Sequence, residues 1–154
     1  YDMPDEWVAG MPSAVRAMGD TVVIAGSYAP TAPWHFDAFP SFWTSLNGID
    51  WEHTLLEDVH TPGMDSPHAW ISELVATDTG LAAVGLWTHD QKVDVDTTRG
   101  RAAVWISREG SWVEVVSESF PITEDAWGLT GAVDFAGDLI AVGSGGVWVG
   151  EWKD

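Results

Sequence analysis

The sequence predicts an all-β protein of three consecutive antiparallel meanders, about four strands each, and three observations carry that prediction. The apolar runs are short: "TVVIAG" from Thr21 and "LIAVG" from Leu139 are β-branched or apolar stretches of strand length, bounded by Gly, Asp or Thr. No segment sustains a helical period over three turns. The runs also recur, since "VRAMGDTVVIAGSYA", "LVATDTGLAAVGLWT" and "AVDFAGDLIAVGSGG" align on the closing glycines Gly26, Gly85 and Gly143, spaced 59 and 58 residues apart.

Each unit opens on a tryptophan (Trp7, Trp70, Trp127) and runs a short strand into a turn placed at Gly19-Asp20, Thr79-Gly80 or Gly137-Asp138. These residues tolerate the backbone of a tight hairpin. The chain then returns in strands expected around 22–25, 82–85 and 139–142, on equivalent positions of the three units. After a variable polar stretch, another apolar strand follows around Trp43, Trp105 or Trp148. "GSGG" at 143–146 is read as the turn that replaces the long insertions of the other two units. The units span approximately 5–62, 66–121 and 124–154 of a single domain, 1–154.

A lone four-stranded meander cannot bury both faces, so the units are expected to stack through faces marked by the opening tryptophans. Repeats of this length with periodic Trp predict β-propeller blades. Three blades would leave open edges and faces. The expectation is therefore a partial propeller, completed by another copy, a partner chain or the rest of a longer polypeptide; the start at Tyr1 is read in the same way.

Composition limits the partners. Hydrophobic residues make up 45% of the chain, and 24 acidic against 6 basic side chains give a net charge of -18, which repels phosphate backbones and anionic membrane surfaces. Nucleic acid is thereby excluded as an expected partner. Cysteine is absent, so neither a disulfide framework nor thiolate chemistry is available. No apolar run approaches the roughly 20 residues of a membrane-spanning helix.

"SLNGIDW", Ser45 to Trp51, resembles the Asp-box, or bacterial neuraminidase repeat, with Asn47 in place of the aspartate. "SREGSW", Ser107 to Trp112, resembles a shortened copy with Glu109 at the acidic position, and the third unit carries no complete box. The resemblance implies a sialidase-like propeller with the box on the outer turn between the last two strands of a blade, in a structural role. A sialidase also needs an arginine cluster, a nucleophilic Tyr with a Glu partner, and an acid/base Asp. The chain has only Arg16, Arg99, Arg101 and Arg108 and the tyrosines Tyr1 and Tyr28, none in a recognisable catalytic setting. A non-catalytic relative is expected. "AVWIS" with its following Gly and Trp also resembles the non-catalytic propellers of secreted actinobacterial proteins, which implies an extracellular or cell-surface location.

Two loops carry the candidate chemistry. In "HDQKVDVDTTRGR", Asp94, Asp96 and Thr98 alternate as oxygen donors that could wrap a calcium ion, or else form a solvated insertion. In "SYAPTAPWHFDAFPSF", Trp34, His35, Phe36 and Phe39 lie among prolines, as a recognition surface or as packing over the adjoining blade. The five histidines show no zinc-ligand spacing. Two functions are expected from these features: a non-catalytic binding or scaffold module recognising a protein or glycan through its rim loops, or a section of a glycan-active propeller whose catalytic residues lie elsewhere.

Overall fold

The structure, a computed structural model, describes residues 10–29, 38–56, 67–89, 99–108, 110–117, 119–120, 128–144 and 146–151. Among them there are eleven strands and no helix. The first sheet holds β1 (Gly10–Met18), β2 (Thr21–Tyr28), β3 (Phe39–Ser45) and β4 (Glu52–Leu55). The second holds β5 (Pro67–Thr77), β6 (Gly80–His89), β7 (Arg99–Arg108) and β8 (Ser111–Glu114). The third holds β9 (Leu129–Phe135), β10 (Asp138–Gly143) and β11 (Gly146–Glu151). Every pairing within a sheet is antiparallel and between chain neighbours. The expected strands at 22–25, 82–85 and 139–142 are the second strands of three separate sheets.

The third sheet departs from the expectation of four strands, having three among the described residues. The turns also shift by a residue in two units. Thr77 pairs with Gly80 and Phe135 with Asp138, so the hairpin tips are Asp78-Thr79 and Ala136-Gly137. The tip at Gly19-Asp20 lies where it was expected. Gly143 pairs with Gly146, so that segment is a tight turn, as read.

The closing glycines have a common cause. In each sheet the first strand carries an irregularity, at Ser13, Ser72 and Thr130, where one extra residue is unpaired. Gly26, Gly85 and Gly143 face these bulges. A Cβ added there would lie 2.2 Å from the Met11 carbonyl oxygen, 1.8 Å from that of Trp70 or 2.1 Å from that of Gly128. The glycine repeat is thus the mark of a close backbone approach repeated three times.

The sheets stack face to face with the second in the middle. Strand alternation gives each sheet a front face toward the preceding sheet and a back face toward the following one. Val23, Ala25 and Phe42 of the first sheet pack on Leu74, Leu81, Ala83 and Trp105 of the second. Val75, Ala82, Val84, Val104 and Ile106 on the back of the second sheet pack on Leu129, Leu139 and Ala141 of the third. β6 therefore reads as a continuous apolar run because both of its faces are covered.

The inter-sheet contacts are strongest between first strands, β1 with β5 and β5 with β9. Polar links fix their spacing. The Ser13 hydroxyl donates to the Ile71 carbonyl at 2.5 Å, the Ser27 hydroxyl donates to the Ala69 carbonyl, and the Ala69 N–H donates to the Ala38 carbonyl at 2.8 Å. Between the second and third sheets the Glu73 carboxylate accepts from the Ala132 N–H at 2.8 Å.

Of the tryptophans that open the units, only Trp70 lies among the described residues, and it is not a stacking aromatic. Trp70 is 47% exposed, and Trp7 and Trp127 lie outside the described residues. Among the described residues the buried indoles are Trp43, Trp87, Trp105 and Trp112, and Trp112 stacks on Phe42 with centroids 3.7 Å apart and planes 5° apart. Trp70 occupies β5 next to Ile71, and alternation turns Ile71 inward and Trp70 outward.

Candidate functional site

The box-like turn joins β3 to β4, the last two strands of the first sheet. The Ser45 hydroxyl accepts from the Gly48 N–H at 2.8 Å and the Asn47 N–H at 3.3 Å. The Asn47 side-chain oxygen accepts from the Ile49 and Asp50 N–H groups, each at 2.8 Å, and its amide donates to the Asp50 carboxylate at 2.8 Å. Four backbone N–H groups of the turn, those of residues 47–50, are thus bound by two short side chains. Gly48 has φ 72, and a Cβ there would meet nothing within 4 Å. Gly48→Val is therefore expected to destabilise through backbone strain alone, by about 1–3 kcal/mol in a denaturant titration. An unchanged midpoint would show that this turn does not depend on that conformation.

At the equivalent turn between β7 and β8, Ser107 pairs with Trp112 and buries its indole.

A buried ion pair lies between the first two sheets. Arg101 and Glu114 meet at 2.5 Å with side chains 8% and 3% exposed. Trp87 is in register with Arg101, and Trp105 with Glu114. Burial pushes the Glu114 carboxyl above the ordinary glutamate range, and this outweighs the opposing pull of the adjacent Arg101 charge. Arg101, one of the four scattered arginines, is a core residue.

A cleft of about 440 Å³ lies between the outer strands of the second and third sheets. Val104, Ile106 and Val115 form one wall, and Leu139, Ala141 and Trp148 the other. Phe120 closes one side, 6.2 Å from Trp148 between ring centroids. A turn directs Phe120 there, since its N–H donates to the Ser117 carbonyl at 3.1 Å while the Ser119 N–H donates to the Ser117 hydroxyl at 3.1 Å. Arg108, Ser117 and Ser119 supply the polar groups. An apolar slot with few polar groups binds an apolar side chain in a fixed direction.

Of the residues singled out in the sequence, Asp94, Asp96 and Thr98 lie outside the described residues, as do Trp34, His35 and Phe36. Phe39 opens β3, half-buried and paired with Tyr28. Among the described residues no group of three His, Asp or Glu side chains could hold a metal ion. The cleft residues were missed, apart from Trp148 as a strand marker.

No protein-family model matches this chain, and no curated protein matches it.

Proposed function

We propose that this chain is a non-catalytic binding and scaffold module, a run of β-propeller blades that assembles with protein partners through the apolar faces of its sheets. The observation that carries this reading is a correspondence between two faces. On the back of the second sheet, Val75, Ala82, Val84, Val104 and Ile106 are buried against the third. The same register positions on the back of the third sheet are Val133, Ile140, Val142, Val147 and Val149. Four of these, all but Ile140, are exposed, Val147 and Val149 by 67% and 63%. This flat apolar face repeats one that already binds a sheet, so its fitting occupant is another sheet of the same repeat.

For the isolated chain a second copy supplies that sheet. Residues 1–154 are expected to associate in a concentration-dependent way by light scattering, more strongly at high salt, where the -18 charge is screened. Val147→Lys with Val149→Lys, at exposed positions, is expected to abolish association and shift stability by only about 0.5 kcal/mol. A wild-type chain that stays monomeric at every concentration and salt would overturn the reading.

A further inference from the structure

Asn47 is the only asparagine in the chain, and glycine follows it. That pair is prone to a reaction of its own, because a glycine nitrogen has no neighbouring side chain to hinder its approach to the asparagine side-chain carbonyl carbon. In the folded turn both reacting groups are engaged. The Gly48 N–H donates at 2.8 Å to the hydroxyl of Ser45, a residue only 2% exposed, although Asn47, Gly48 and Asp50 are themselves exposed. The Asn47 carboxamide is held at both ends: its oxygen accepts from the Ile49 and Asp50 N–H groups and its nitrogen donates to the Asp50 carboxylate, each at 2.8 Å. The Ser45 hydroxyl also donates to the Asn47 oxygen at 3.3 Å. The turn thus holds a reactive pair in which neither member is free to move toward the other.

We infer that Asn47 is a deamidation site closed by the folded turn, so that its conversion to a carboxylate records opening of that turn. When the turn opens, the Gly48 nitrogen gives its proton to solvent and attacks Asn47 Cγ. The new N–Cγ bond closes a succinimide ring as the Cγ–Nδ2 bond breaks, and Nδ2 takes a proton from solvent and leaves as ammonia. Water then adds to either ring carbonyl: opening at Cγ gives aspartate at position 47, and opening at the Asn47 backbone carbonyl carbon gives isoaspartate. Water is consumed, ammonia is released, and nothing is oxidised or reduced. Neither product restores the original turn. Aspartate keeps an acceptor for the Ile49 and Asp50 N–H groups but sets a second carboxylate against that of Asp50, in place of the amide that donates to it. Isoaspartate adds a carbon to the backbone, which breaks the register of hydrogen bonds that span only two or three residues. A transient opening is thereby made permanent.

The test is the rate at which residues 1–154 lose the Asn47 amide in mildly alkaline buffer, followed by mass spectrometry of the fragment that holds residue 47. The folded chain is expected to convert at least about 10-fold more slowly than the same chain in guanidinium chloride. Ser45→Ala, which frees the Gly48 N–H, is expected to raise the rate in the folded chain about 5-fold. Asp50→Ala, at an exposed position, frees the carboxamide nitrogen and is expected to raise it as well. Both variants are compared with native tryptophan fluorescence retained, and Asp50→Ala carries the test if Ser45→Ala does not fold. Equal rates in the folded and unfolded wild-type chain, no conversion in the unfolded chain, or a wild-type rate in every folded variant would each overturn the inference.

Discussion

Glu114→Ala is expected to lower the unfolding free energy by about 3–5 kcal/mol, because it leaves the buried Arg101 guanidinium without the carboxylate it meets at 2.5 Å. The size of the loss comes from the stranded charge rather than from the strength of the pair. Taking two charges out of water nearly cancels their attraction, so Arg101→Met with Glu114→Leu is expected to recover most of the stability. A denaturant titration of the three proteins checks this, and a double variant as unstable as Glu114→Ala would show that shape rather than charge governs the site. The pH dependence has a definite sign. Because burial raises the Glu114 carboxyl above its unfolded value, the folded protein keeps a proton where the unfolded chain has lost it. This group's contribution is full below the unfolded glutamate value and is lost as pH rises through the raised folded one. Glu114→Gln is expected to remove that slope when unfolding midpoints are compared across the acid-to-neutral range.

The second large effect is expected at Gly85. An alanine there would place its Cβ 1.8 Å from the Trp70 carbonyl oxygen and 3.0 Å from the Ile71 Cα, both backbone atoms. β5 is held by neighbours on either side, packing against β1 and β9, so it cannot retreat without disturbing two interfaces. Gly85→Ala is therefore expected to cost about 3 kcal/mol or more, the upper range for an overpacked core. Gly143→Ala makes a similar clash, 2.1 Å from the Gly128 carbonyl oxygen, but in a sheet with one open face. It is expected to cost less. Gly150→Ala is the control, since the nearest atom its Cβ would meet is the Leu139 carbonyl oxygen at 3.9 Å, and it is expected to shift stability by under about 0.5 kcal/mol. Thermal or denaturant melts that rank Gly150→Ala with Gly85→Ala would remove the bulge-and-glycine device as the cause of the repeat.

The sequence by itself determined the local chemistry. Short apolar runs bounded by turn residues specify the antiparallel hairpins, and the recurrence of Gly26, Gly85 and Gly143 specifies three copies of one unit. Ser45, Asn47 and Gly48 specify their turn completely, because every hydrogen bond in it spans three residues or fewer. These features depend on neighbours along the chain, where order in sequence is order in space. Only the tertiary structure decided which side chains meet. A bulge shifts the alternation of inward and outward residues by one, so Ser72 puts Leu74 rather than Glu73 on the same face as Ile71. Period-two reading across the bulge assigns the wrong faces. Arg101 and Glu114 come from different strands, and nothing in either residue's local sequence marks it as buried. The cleft is harder still to read from the chain, since its walls, Val104 and Ile106 on one side and Leu139 and Ala141 on the other, come from sheets that meet only in the folded molecule.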